Sequence, residues 1–523
     1  MEIDFTKALF QRDDIFFKLP LARSLLAGTS SNFAEALYLE HLFHWGGFSE
    51  DSPKKRGAND FLQAFSELVS SIRENGFSRE HTPPGINTDG QLVGGSHRVA
   101  AAIALSQVKN QAVDFQLRLV EYPTVDFSFR GFRGLGVHDS AIREASIEKI
   151  NFFREPHVPL LVIWPRASEY RERILQILSR KWPHLDRLLD VSLSSRGLSN
   201  FIALAYRDEE WCSNASDLRG KLIDVVGKNG VDNVTIVLLE PAPAAELLEL
   251  KTEIRELWGG SFQGVHTTDS WEESLRIFST LSSPESTAAL ELTEVKKYMA
   301  KQNEFASHFS NLDSHRIGPI GYGVSGSQWL DYFGVRKSND IDLISHNFFG
   351  AGKKIETHNS YLSEFGFSAE TILSEPVMHT WVMGRKHIAP WVYARIMEQR
   401  AEDKDLVSRQ AYLRKIDQID GSVRDQLRTE EDILNKKAGA IVRNEVSPFS
   451  SYLLASGARS NQRSLSSIEG ERQQSGLLLA LHRLRWRLSA VIRRLPLLLP
   501  LGLRTRVGRS VRGVVRRLRE KLK

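Results

Sequence analysis

The stretch from Gly321 to Ser345, GYGVSGSQWLDYFGVRKSNDIDLIS, constrains the fold more than any other part of this 523-residue chain. Gly326-Ser327 reads as a turn opening a helical segment, and twelve residues separate it from Asp340-Ile341-Asp342. Side chains two apart on a strand share a face, so both carboxylates point one way while Ile341 and Leu343 point to a core. Two converging carboxylates form an oxygen site suited to Mg²⁺, which bridges protein acids and substrate phosphates. The turn offers backbone N–H groups and a hydroxyl to a phosphate at the helix start. An Asp-x-Asp pair alone also occurs as a solvated strand edge; the Gly-Ser turn at this distance is what adds to it.

This stretch resembles the nucleotidyltransferase-fold superfamily, whose signature is Gly-Ser, a spacer of this length, then Asp-x-Asp. The resemblance implies that Gly326 and Ser327 hold the phosphates of a nucleoside triphosphate and that Asp340 and Asp342 hold Mg²⁺ and act catalytically. The family adds a third carboxylate on a later strand; Glu375 is the candidate and Glu356 the reserve. Without one, the domain would bind nucleotide and not transfer it. Many members carry a cationic helix beyond the catalytic sheet. Lys386, Arg395, Arg400 and Lys404 fall there, and Lys386 and Lys404 are assigned to triphosphate or a phosphorylated acceptor. The same helix also reads as a solvated face balanced by Glu398, Glu402 and Asp403.

A second glycine turn lies in INTDGQLVGGSHRVAAAIALSQ, residues 86–107. Gly94 and Gly95 permit close backbone approach, and the helix start that follows favours an anion. Arg98 can clamp a phosphate bidentately, with Ser96 and His97 as further donors. The segment resembles the ParB/sulfiredoxin superfamily, in which a Gly-x-x-Arg loop before a helix binds nucleotide phosphates. That implies ATP or CTP as ligand, and in some members phosphate transfer to a small molecule. Sulfiredoxin needs a cysteine where this chain has Ser96, which sets sulfinic-acid reduction aside. A structural reading, a capped helix with Arg98 in a salt bridge, stands beside it.

Between these turns, the apolar runs VPLLVIWP, FIALAYR (201–207) and VTIVLLEP alternate with helical stretches. Such alternation predicts an α/β layer with parallel pairing. Lys251 and Arg255 lie one helical turn apart, upstream of His266 and Asp269, and these four are a candidate phosphate or sugar site. Asp269 also reads as a helix cap with Glu272 as its capping-box partner. This middle segment is similar to modules of bacterial surface-polysaccharide loci.

The overall expectation is a multidomain α/β and α+β protein. It has a ParB/sulfiredoxin-like phosphate-binding domain (1–125), an α/β middle domain (155–289) and a nucleotidyltransferase-like mixed-sheet domain (290–445). A serine-rich flexible linker (446–476) and a tail of basic amphipathic helices (477–523) follow.

Charge is what makes the tail distinct. It holds 14 of the 69 Lys and Arg and one of the 64 acids, a balance of +13, which leaves 55 basic and 63 acidic side chains, or −8, for the rest. Val507, Val511, Val514, Val515, Leu518 and Leu522 form one helical stripe flanked by arginines. That pattern predicts a helix lying on an anionic membrane. Nucleic acid is the weaker partner, since phosphate binding needs no leucine stripe. No apolar stretch reaches the roughly 18 residues of a spanning helix. The acid-bearing start, MEIDFTKALFQRDD, does not read as a secretory signal. With Cys212 as the single cysteine, no intramolecular disulfide can form, and a reducing compartment is expected. Together these features predict a cytoplasmic, peripheral inner-membrane transferase. Its acceptor would be sugar- or lipid-linked, in cell-surface polysaccharide assembly. The alternatives are a nucleotide-regulated scaffold with an inactive transferase domain, a ParB-like small-molecule kinase, and a DNA-partition relative.

Overall fold

A computed structural model describes residues 5–50, 55–76, 83–110, 116–182, 185–226, 233–260, 263–293, 306–314, 318–345, 355–400, 407–419, 421, 447–450 and 452–453. The architecture is mixed, with helices predominating over small sheets. The basic tail and Lys404 lie outside the described residues.

The N-terminal region is mainly helical. Ser31 caps the helix Asn32–Gly46 by accepting from the Ala34 N–H, and Ala58–Asn75 ends at Gly76, where the positive φ suits glycine. The two strands β1 (Gly85–Ile86) and β2 (Arg118–Leu119) pair in parallel around the helix Ser96–Lys109. That helix is alanine-rich because Val99 to Ala104 are all buried and neighbouring helices approach closely. Charges here are internally matched. Arg12 holds both oxygens of Asp14 at 2.7 and 2.9 Å, Lys18 reaches Asp14 Oδ2 at 2.6 Å, and Lys149 reaches Asp13 at 2.6 Å.

The middle region corrects the expectation of parallel pairing. Strands β3 (Leu160–Ile163), β4 (Asp186–Ser192), β5 (Asn233–Leu238) and β6 (Val265–Thr267) form a sheet of order β4-β5-β3-β6, antiparallel throughout. Residues 201–205, expected as strand, belong to the helix Ser195–Ala205. Ser194 caps it by accepting from the Gly197 N–H, and Leu198, Phe201, Ile202 and Leu204 recur at helical spacing. Alternate residues of β3 serve two cores. Leu161 and Ile163 pack with Ile174, Leu178 and Leu250, while Leu160 and Val162 belong to the principal core.

The last region builds a five-stranded mixed sheet from β7 (Tyr322–Ser325), β8 (Ile341–Ser345), β9 (Ile355–Thr357), β10 (His379–Val382) and β11 (Arg385–Ile388). Its order is β10-β11-β7-β8-β9. One face carries Tyr322, Val324, Ile341 and Leu343, covered by Phe309 and Leu312 of the helix Ala306–Asp313. Arg385 fastens that helix by donating to Asp313 Oδ2 at 2.8 Å and to the Tyr322 hydroxyl at 2.9 Å.

One continuous core runs from Ala8 to Tyr452 and includes side chains from all three expected domains. It also corrects the start of the expected linker. Phe449 is 2% exposed and packs against Phe33. Its N–H donates to Glu40 Oε2 at 3.1 Å, and Phe449, Tyr452 and Leu453 contribute large apolar side chains that the serine content around them conceals.

Candidate functional site

The turn after β7 is built on Gly326. Its φ of +72° lies in the left-handed region, and a Cβ at this position would overlap Asp342 Oδ2. Only glycine therefore lets the turn close over that carboxylate. Asp342 sits opposite Ser325 across the antiparallel β7–β8 ladder and opposite Glu356 across the parallel β8–β9 ladder. Cross-strand partners share a face, so the sheet stacks the three side chains in a row. His358, two residues beyond Glu356, brings Nε2 to 3.0 Å from Asp342 Oδ1. One ligand atom each from Asp342, Glu356 and His358 lies within 4.8 Å of the others.

Ligands about 2.1 Å from one dication sit about 3 to 4 Å apart, so small side-chain rotations close this group around an ion. Its donors are two carboxylates and an imidazole. The surroundings are short of hydrogen bonds: Ser325 Oγ and Gln328 Oε1 are buried and unpartnered. A hydrated ion offers donors to such oxygens.

The expected residues distribute unevenly. Asp340 precedes β8 by one residue and stands outside the group; its backbone carbonyl accepts from Ser338 Oγ at 2.9 Å and from Gln328. Ser327 Oγ, expected to be available to a phosphate, pairs with Ser338 Oγ at 2.8 Å, and the helix it precedes, Gln328–Tyr332, has five residues. Glu375 does not belong to the group. Its Oε1 accepts from Ser31 Oγ at 3.0 Å and the Phe33 N–H at 3.3 Å, and its Oε2 from the Tyr452 hydroxyl at 2.8 Å. It is a buried clamp between the first helices and the segment after residue 447, and Glu356, the reserve candidate, is the carboxylate that lies beside Asp342. Lys386 is buried beneath the sheet, donating to the Leu373 carbonyl at 2.6 Å; burial lowers its pKa to about 8. Arg395 is exposed on the helix Pro390–Arg400, which Arg400 ends. His358 was not anticipated, although the spacing of two in Ile355-Glu356-Thr357-His358 was a legible signal.

The N-terminal turn has a different character. Gly95 has a φ of +81°, and a Cβ there would meet Pro84 Cα and Arg98 Nη2, each at 3.1 Å. Ser96 Oγ accepts from Lys18 Nζ at 3.1 Å. His97 Nε2 meets the Tyr38 hydroxyl at 3.1 Å, and burial holds the ring well below its ordinary pKa, hence neutral. Neither of these two donors faces outward. Gly94 lies against Gly85 in the ladder, where its N–H donates to the Gly85 carbonyl at 3.3 Å. Arg98 is half-buried; burial and the neighbouring Arg118 both lower its pKa. No acid pairs with either arginine among the described residues.

In the middle region, His266 Nε2 meets Glu273 Oε1 at 2.7 Å, and Glu273 Oε2 accepts from the Asp269 N–H at 2.8 Å. The helix cap is Ser270, one residue later than expected, with Glu273 as its partner in place of Glu272. Lys251 and Arg255 lie on the helix Ala244–Glu256. Arg255 has its Nε buried without a partner, and Tyr206 lies 4.6 Å from the His266 ring. The structure thus pairs His266 with Glu273 and uses Asp269 through its backbone.

No helix among the described residues is long and apolar enough to cross a membrane. Comparison of the chain with protein-family models, with curated proteins and with solved structures finds no match.

Proposed function

We propose that the β7–β9 region carries metal-assisted nucleotidyl or phosphoryl transfer. The single observation behind this reading is the Gly326 turn pressed against Asp342, with Glu356 and His358 in register beside it. Asp342, Glu356 and His358 would hold the ion. A dication held there neutralises charge on a transferring phosphoryl group. Gly326 lets the turn pack against Asp342, and the β8–β9 register sets Asp342 and Glu356 side by side. The acceptor class, a sugar- or lipid-linked phosphate in bacterial cell-surface polysaccharide assembly, is supported by the resemblances and by the basic tail.

The test is consumption of ATP and CTP by the wild type, Asp342→Asn and Arg98→Ala. Loss confined to Asp342→Asn supports the reading. Loss confined to Arg98→Ala moves catalysis to the N-terminal turn, and absence of turnover in the wild type with any dication sinks it. Association with the inner face of a membrane is tested by flotation with neutral and anionic vesicles. Binding that needs anionic lipid and is lost on removal of residues 477–523 supports it; binding unaffected by that removal refutes it.

A second reading, a nucleotide-binding regulatory protein with an inactive transferase domain, is favoured by Arg98 and Arg118, neither of which pairs with an acid among the described residues. ATP or CTP bound without turnover, and released by Arg98→Ala, would establish it.

A further inference from the structure

The nitrogen donor in the β8–β9 group bears on which ion it takes. We propose that Asp342, Glu356 and His358 form a mixed nitrogen–oxygen centre selective for a first-row transition dication over Mg²⁺. The inference rests only on the metal-binding half of the function proposed above.

Position supports it first. The His358 N–H donates to the Leu343 carbonyl at 2.8 Å, which extends the β8–β9 ladder by one bond past Glu356. The imidazole is therefore placed by the same ladder that aligns Asp342 with Glu356. Its ring also packs on Tyr361, with centroids 4.7 Å apart. Glu356 is the cross-strand partner of Asp342, and His358, one residue past the end of β9, turns its Nε2 to 3.0 Å from Asp342 Oδ1.

A second, independent observation points to an ion. Ser325 is 1% exposed, its Oγ has no partner, and it is the cross-strand neighbour of Asp342 on the same face. Gln328, equally buried, has an unpartnered Oε1 at the end of the same turn. Buried oxygens without donors are costly and rare, and waters on a bound dication are donors.

The donor chemistry then discriminates between ions. Mg²⁺ prefers oxygen in near-octahedral geometry and gives up water reluctantly. An all-oxygen pocket would need Asp340, which stands before the strand and outside the group. Imidazole suits the later first-row ions, whose affinity for nitrogen–oxygen sites rises from Mn²⁺ through Co²⁺ and Ni²⁺ to Cu²⁺, with Zn²⁺ below Cu²⁺.

The experiment uses the full chain freed of metal, with Co²⁺ as optical probe and Mg²⁺ as competitor. Wild type, His358→Ala and His358→Asp are compared, with circular dichroism verifying that each folds; His358→Gln replaces any variant that does not. The wild type should bind Co²⁺ with ligand-field bands characteristic of nitrogen donation, and equimolar Mg²⁺ should not displace it. His358→Ala should lose about 100-fold or more in Co²⁺ affinity, beyond the 10–100-fold typical of second-layer changes. His358→Asp should lose Co²⁺ preference and gain Mg²⁺ binding. Displacement by equimolar Mg²⁺, or unchanged Co²⁺ affinity in His358→Ala, overturns the inference. Tight Co²⁺ binding with no nucleotide turnover would instead defeat the transferase reading and leave this one standing.

Discussion

Two glycine turns in this chain look alike on paper and differ in sign in three dimensions. Gly95 and Gly326 both have φ near +75° and both precede a helix. Around Gly95, the serine and histidine bond inward, and what remains is a pair of arginines with no acid partner among the described residues. Around Gly326, the neighbours are two carboxylates and an imidazole. The first turn is arranged for an anion and the second for a cation. A glycine turn therefore reports that something approaches the backbone closely; the adjacent strand decides what. At Gly95 that strand is β1, entered through Pro84 and paired with Arg118 of β2, and at Gly326 it is β8 with Asp342.

The largest effect that would sharpen this contrast is the alanine substitution at each glycine. Both positions force a left-handed residue, worth roughly 1–2 kcal/mol. At Gly95 the added Cβ meets Pro84 and the movable end of Arg98, so Gly95→Ala should lose little more than that. At Gly326 it overlaps a carboxylate held in the sheet, adding the roughly 1–3 kcal/mol typical of overpacking. Urea unfolding should rank Gly326→Ala below Gly95→Ala, and Gly326→Ala should also lose dication binding. Equal losses, with ion binding intact, would mean that Asp342 is not fixed over the turn.

How far these turns were legible follows from how local their determinants are. Asp342, Gly326 and the split of Ile341 and Leu343 to the opposite face follow from spacing within a few residues. Glu356 required knowing that β9 pairs in parallel with β8, which no local pattern states, and His358 came with it. Glu375 was misassigned because the groups that bond it lie 344 positions before it and 77 after. The apolar run 201–207 failed for another reason: a short buried run suits strand and helix equally, and only the Ser194 cap resolves it. Whether the serines of the two turns were available could not be read at all, since Lys18 and Ser338 reach them only in the folded chain.

An intermediate effect concerns pH at the first turn. His97 is neutral because burial disfavours its cation, and Lys18 and His41 add to that. Its folded pKa is below the unfolded value near 6.5, so the unfolded chain binds the extra proton and stability is lost as pH falls below 6.5. His97→Gln should be less stable than wild type at pH 7.5, since it loses ring contacts with Tyr38 and Phe65. The gap should narrow by up to about 1.4 kcal/mol per pH unit between 6.5 and 5. A gap that stays constant over that range would show that His97 titrates normally, with the turn open to water and the contrast between the two turns smaller than drawn.

The smallest effect is the most discriminating for the first turn. Arg98 and Arg118 repel each other, and with no acid pairing either one among the described residues, removing one charge breaks no ion pair. Substitutions of this kind typically change stability by no more than about 0.5 kcal/mol. Arg98→Ala and Arg118→Ala should each leave the urea midpoint within that margin, with a slight gain at low salt that screening abolishes. Binding of inorganic phosphate or ATP, measured by calorimetry, should nonetheless weaken in both. The two readouts separate a ligand clamp from a structural salt bridge, because a bridge residue loses stability when truncated and a clamp residue loses only its ligand. A destabilisation well above that margin with unchanged phosphate binding would make Arg98 a structural residue, and the first turn would then be a capped helix start without a ligand.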